Sequence, residues 1–172
     1  MTILSARNHF KSGLMAIVEG RHEDAVRELR AAVEVERDRH VRHPQLRYLS
    51  YYGLSLALAN RAGAEAIRAC ETAVRREPEQ PEYYVNLARV LARAGRATRA
   101  LETLERGLRV APRHRGLLAE RSRLDRRRRP PLPMLDRAHP LNRVFGRLRA
   151  RWVLSAPAAP RPEPELSDLE ID

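Results

Sequence analysis

The sequence predicts an all-α fold, a solenoid of stacked antiparallel helix pairs, and two observations carry that expectation. Small residues recur at one spacing. In the clearest copy they are Ala88, Gly95, Ala100 and Gly107, closed by Pro112. Ala66, Ala73 and Pro78 each lie 34 residues upstream of Ala100, Gly107 and Pro112, and Gly13, Gly20, Ala25 and Ala32 give a third copy. Between these small residues the apolar side chains fall at helical intervals. A fixed period of about 34 residues marks helix–turn–helix units that bury a core only by stacking on one another.

The last repeat, 81–114, shows the elements best. Pro81 suits the first turn of a helix, and Tyr84, Leu87, Ala88 and Leu91 form its buried stripe. Gly95 breaks that helix. A second runs from Thr98 to Val110 with Leu101, Leu104 and Leu108 on its apolar side, and Pro112 closes the unit. Ala88 and Ala100 are small where the two helices approach, and Gly107 plays the same part against the helix that follows. The middle repeat, 46–79, places Tyr52, Leu56 and Leu58 on its first helix and Ala66, Ile67, Cys70, Ala73 and Val74 on its second. Gly53 and Ala66 are 13 positions apart, against 12 between Ala88 and Ala100, so the turn at 60–64 carries an extra residue. The first repeat, about 6–39, has Arg37 in place of the closing proline, and Ala25 to Ala66 spans 41 residues. About seven residues are therefore inserted around 38–44, which predicts a longer second helix and a looser junction. Residues 114–128 read as a polar capping helix with Leu117, Leu118 and Leu124 inward.

These repeats resemble the tetratricopeptide repeat, whose small–x11–Ala–x6–small–x4–Pro pattern is present as Ala88, Ala100, Gly107 and Pro112. The resemblance covers about residues 6–128. It implies a right-handed α-solenoid in which the first helix of each pair lines a concave groove for an extended peptide or a helix of a partner. By that implication the groove carries Arg7, Lys11, Leu14, Arg47, Tyr51, Asn86, Arg89 and Arg93. Arginine forks bind carboxylates bidentately, so an acidic partner is expected. Members that read chaperone tails use a Lys and Asn pair in the first repeat. Here those places are Phe10 and Leu14, so that clamp is missing.

Beyond the repeats, 129–139 reads as an Arg/Pro-rich linker and 140–154 as a basic amphipathic helix. Leu141, Val144, Phe145, Leu148 and Trp152 form one apolar stripe. Docking on the solenoid, filling a partner's groove and lying on an anionic membrane all remain open for it. Residues 155–172 read as a disordered Pro-rich, acidic tail. It acts either as a solubilising segment or as a competitor for the basic arm or groove.

Charge follows the same divisions. Residues 1–112 hold 19 basic and 14 acidic side chains, net +5; residues 113–151 hold 13 and 3, net +10; residues 152–172 hold 1 and 5, net −4. The basic arm comprises Arg126, Arg127, Arg128, Arg129, Arg143, Arg147, Arg149 and Arg151. It supplies the phosphate-neutralising charge for salt-sensitive, non-specific nucleic-acid binding. Aromatic residues at 5% are too few for a stacking platform. Lysine occurs once, at Lys11, and this Arg-, Ala- and Pro-rich composition points to a GC-rich bacterial genome.

Catalysis finds little footing, and neither a cofactor nor a metal is expected. His40 and His43 lack a third ligand at suitable spacing, the glycines mark repeat turns, and lone Cys70 lies on an apolar helix face. Glu23 and Asp24 stand at a helix start, where the dipole favours them. One cysteine, no signal-like leader and no long apolar run lead to the expectation of a cytoplasmic chain. The expected function is a protein-interaction adaptor. The alternative is a peripheral membrane or polyanion binder working through residues 126–154.

Overall fold

A computed structural model describes residues 3–128. The linker, the basic helix with its stripe Leu141, Val144, Phe145, Leu148 and Trp152, the acidic tail, and Arg129, Arg143, Arg147, Arg149 and Arg151 of the arm lie outside the described residues. The described part is seven helices: α1 (Ile3–Val18), α2 (His22–Asp38), α3 (Leu46–Leu58), α4 (Ala64–Arg76), α5 (Pro81–Arg93), α6 (Ala97–Val110) and α7 (Arg115–Arg128). They pair as α1/α2, α3/α4 and α5/α6. The first helices α1, α3 and α5 stand side by side, and α2 and α4 pack against the first helix that follows each.

The small residues are where each pair closes. Ala25, Ala32, Ala66, Ala73 and Ala100 are wholly buried. A Cβ on Gly53 would lie 2.6 Å from Cys70 Sγ and 2.7 Å from the Ala66 carbonyl oxygen, so α3 and α4 touch there backbone to backbone. A Cβ on Gly107 would lie 2.8 Å from Tyr84 Cβ and 2.9 Å from Leu117 Cδ2, so that residue fits α6 against both α5 and α7. Around these contacts Leu29, Leu91, Leu104 and Leu117 are sealed from solvent. Each such burial contributes about 1.5–3 kcal/mol.

The first helix of every pair ends in the same way. Gly20, Asn60 and Gly95 have φ of 78°, 61° and 75°. The next N–H in each case reaches back five residues: Arg21 to the Ala16 carbonyl, Arg61 to Leu56 and Arg96 to Leu91, all at 2.8 Å. This is the left-handed helix stop that satisfies the last carbonyls and reverses the chain. Five residues separate α3 from α4, against three between α5 and α6.

The inserted residues lengthen the second helix and the junction after it. Helix α2 has 17 residues, where α4 has 13 and α6 has 14. His40 (φ 51°) stops it, with Val41 N–H donating to the Glu36 carbonyl at 3.2 Å. Glu36, only 9% exposed, accepts the Gln45 N–H at 2.9 Å and so ties the junction to the start of α3. Tyr84 does the corresponding work one repeat on, its hydroxyl donating to the Pro78 carbonyl at 2.9 Å.

The cap needs one correction. Leu117 and Leu124 are buried, but Leu118 is 45% exposed. The inward stripe of α7 is Leu117, Glu120 and Leu124, and Leu118 stands about 100° away from it around the helix.

Two outcomes follow. Gly53→Ala overpacks an interface where the new Cβ meets both the buried Cys70 Sγ and the Ala66 backbone carbonyl, and such overpacking costs about 1–3 kcal/mol. Chemical denaturation should show a loss in that range, while Gly63→Ala, which meets nothing within 4 Å, should cost far less. Burial raises the Glu36 carboxyl above its usual value, opposed by the Gln45 N–H and by Arg47. A raised folded pKa means the native state holds its proton more tightly, so wild-type stability falls as pH rises through that range. Glu36→Gln should remove this part of the pH dependence, giving its largest gain over wild type at neutral pH and none near pH 3.

Candidate partner-binding groove

The first helices bring an aromatic and cationic cluster together at the α1–α3 contact. Phe10 is 4% exposed and packs on Tyr48 with ring centroids 4.7 Å apart and on Tyr51 at 5.6 Å, edge to face. The Arg47 guanidinium lies 5.3 Å from the Phe10 centroid and 5.6 Å from that of Tyr48. Two rings thus hold one cation, each contact worth about 0.5–1 kcal/mol where exposed. The Arg47 Nε is buried without a hydrogen-bond partner. Tyr51 is pushed up to about 12, first by burial and then by the Glu82 carboxylate, with Arg89 and Arg47 pulling the other way. Charges from both α3 and α5 therefore act on one phenol.

Of the residues expected in the groove, Arg7 is half-buried and Lys11 exposed on α1, and neither has an ion pair among the described residues. Leu14 is half-buried against the core. Arg93, at the end of α5, is exposed. Two of the set are engaged inside the protein. Asn86 is 3% exposed, and its Nδ2 donates to Ser50 Oγ at 3.1 Å across the α3–α5 contact. Arg89 donates from Nε to Glu120 Oε1 at 2.6 Å, and Arg123 meets the other carboxylate oxygen of Glu120 at 2.8 Å.

Sequence reasoning missed Glu120 and Ser50. Glu120 is 7% exposed and accepts from Arg89 of α5 and from Arg123 of its own helix α7. It lies 34 residues after Asn86, so the repeat period, extended into the cap, identifies α7 as another first helix and finds it. Ser50 has no such signal, because its role depends on how closely α3 approaches α5.

Cys70 is a packing residue. It is wholly buried on α4, and its Sγ donates to the Ser50 carbonyl at 3.3 Å. Burial pushes the thiol well above its usual range, with the nearby Glu71 carboxylate adding to the shift. Among the described residues no group of three His, Cys, Asp or Glu side chains could hold a metal ion. No described helix is long and apolar enough to cross a membrane.

A family model for the tetratricopeptide repeat matches residues 57–120, from the end of α3 into α7. By this match the chain carries tetratricopeptide repeats over residues 57–120. Solved domains of the same repeat superpose on it. The TPR domain of Arabidopsis OM64 matches with TM-score 0.59 and 13% identity, covering 72% of this chain and 97% of that one. The first TPR of Spaghetti (RPAP3), bound to the HSP90 peptide SRMEEVD, gives 0.59 and 13%, with coverages of 73% and 94%. The second TPR domain of human RPAP3, in complex with the HSP70 peptide SGPTIEEVD, gives 0.58 and 14%, with 71% and 96%. At these identities the likeness establishes the fold, a right-handed solenoid of helix pairs. No curated protein matches the chain in sequence.

The burial of Cys70 has a direct readout. In native buffer a disulfide-exchange reagent such as Ellman's should leave the protein essentially unmodified over an hour, and denaturant should release one thiol. Rapid native labelling would contradict the packing described for α4.

Proposed function

We propose that this tetratricopeptide-repeat chain is an interaction adaptor that takes an acidic peptide or helix of a partner protein on the face lined by α1, α3 and α5. The observation that carries the reading is the Arg47 cluster. A guanidinium lies over two packed aromatic rings, Tyr51 lies beside them, and Arg7 and Lys11 on the neighbouring helix have no carboxylate among the described residues. Aromatic surface supplies apolar contact at low entropic cost, while the cations select acidic side chains and steer the encounter. The two RPAP3 domains bound to peptides rich in glutamate support the choice of an acidic ligand. Phe10 and Leu14 stand where chaperone-tail readers keep Lys and Asn, so the ligand's acids within the segment matter more here than a terminal carboxylate.

A second reading rests on charge alone. Residues 113–151 carry net +10, enough for a salt-sensitive attachment to an anionic membrane or to nucleic acid. A cytoplasmic adaptor with such an arm would also serve at a membrane surface.

The groove reading is tested by charge reversal. Full-length protein and a Lys11→Glu/Arg47→Glu variant are used as bait against native cytosol at low and moderate salt. A stoichiometric partner should be retained by the wild type at both salts and fall at least tenfold with the variant, with circular dichroism confirming the fold. Equal retention by both proteins would overturn the groove. Binding confined to low salt and lost with residues 130–172 would assign the function to the basic arm.

A further inference from the structure

A cleft enclosing about 400 Å³ lies away from the face just described, between the C-terminal ends of the second helices α2 and α4. The residues inserted between the first and second repeats build one side of it. Where α4 reaches α5 through four residues, α2 reaches α3 through seven, 39–45, and four of these line the cleft opposite Thr72 and Arg76 of α4. The walls are apolar: Val33 from α2, Val41 and Pro44 from the inserted segment, Leu46 and Leu49 from α3. Leu46 is buried, and Val33 and Leu49 pack on the core, so the floor is fixed by the solenoid itself.

The charged groups around this floor are mostly of one sign. Arg37 on α2, His40 after it and Arg76 on α4 line the cleft and are all exposed. Arg37 has only a loose, solvent-exposed contact of 3.7 Å with Asp38, and Arg76 has no partner among the described residues. His40 keeps its Nδ1 near the Arg37 carbonyl at 3.1 Å. The one acid in the lining, Glu36, is turned to the Gln45 N–H, and its burial favours the neutral form. The cleft therefore joins an apolar floor to one arginine fork from each of two helices.

We propose that this cleft is a second binding site, taking a peptide segment of a partner in which an aliphatic side chain is flanked by acidic residues. The aliphatic group enters between Val33, Val41 and Leu49, and the flanking carboxylates meet Arg37 on one helix and Arg76 on the other. Bidentate arginine–carboxylate pairing supplies orientation, and burial of the aliphatic group supplies the apolar part of the affinity. The volume stands at the small end of ligand sites, which suits one or two side chains. With the cleft's arginines on α2 and α4 and the groove's cations on α1 and α3, one adaptor can hold two segments at once.

The test uses a fluorescein-labelled, end-blocked peptide, Gly-Glu-Leu-Asp-Leu-Glu-Gly, titrated with the full-length chain at physiological salt and read by anisotropy. Saturable binding is expected, at least tenfold weaker for the same peptide with serine in place of leucine. Arg37→Glu/Arg76→Glu should weaken binding at least tenfold, as should Val41→Asp, which alters the apolar wall outside any helix. Arg68→Glu/Arg109→Glu, an equal charge change at exposed positions outside the cleft, should alter it less than threefold. Circular dichroism melting checks each fold. Absence of saturable binding, equal binding of the serine peptide, or equal loss in the control pair would each overturn the site. Loss in Lys11→Glu/Arg47→Glu without loss in Arg37→Glu/Arg76→Glu would move the peptide to the groove and overturn it as well. Binding of dodecanoate with no binding of the peptide would replace the proposed occupant.

Discussion

Each helix pair is held at a separation that leaves no room for a side chain at one point of its interface, and the rest of the array inherits that geometry. At Gly53 the limiting atom is the backbone carbonyl of Ala66, which no rotamer change can move. With α3 and α4 fixed at that distance, Cys70 reaches the Ser50 carbonyl, and the same turn of α3 presents Ser50 Oγ to Asn86 of α5. One close approach within a pair thus sets up the contact between pairs. Stability in such an array is approximately a sum of unit and neighbour terms. Gly107, fitted against both Tyr84 and Leu117, is where a within-pair contact and a between-pair contact share a single residue.

That constraint explains which parts of the structure were legible in the sequence. A missing side chain is written at its own position, so Gly53, Ala66, Ala88, Ala100 and Gly107 announce the pairs without knowledge of their partners. The extra turn residue after α3 and the long α2 were readable for the same reason, since they are departures from a period. The polar residues were not. Asn86 occupies a first-helix position from which the resemblance implies ligand contact, but whether it faces the groove or the first helix of the preceding pair is decided by Ser50, 36 residues upstream. Leu118 was misplaced because a three-leucine cap fits two helical phases. The choice fell to Glu120, which accepts hydrogen bonds from Arg89 and Arg123 and brings Leu117 and Leu124 inward with it.

The insert at the first junction shows how a repeat protein changes one surface without disturbing its core. Lengthening α2 moves the chain reversal to His40, and Glu36 then serves as a local bracket for Gln45. A buried carboxylate has a desolvation cost, which its raised pKa reports. In return a cleft opens beside the inserted residues, and Val33 and Leu49 in its lining are only partly buried. The spacing of Ala32 and Ala66 against their neighbours is untouched, since both remain wholly buried.

Charge along the first helices is graded, and the grading gives the proposed groove a direction. At the α5–α7 end Glu120 meets Arg89 and Arg123, so two cations there are already matched by one buried acid. At the α1–α3 end Arg47 is held by aromatic faces, which fix its position without neutralising it, and Arg7 and Lys11 have no acid to answer them among the described residues. An acidic segment lying along this face gains most at the α1–α3 end, where apolar aromatic area and uncompensated charge coincide. At the other end it would have to compete with a carboxylate already in place at 2.6 Å. Orientation would then follow from the placement of one internal acid, Glu120, as much as from the cations themselves.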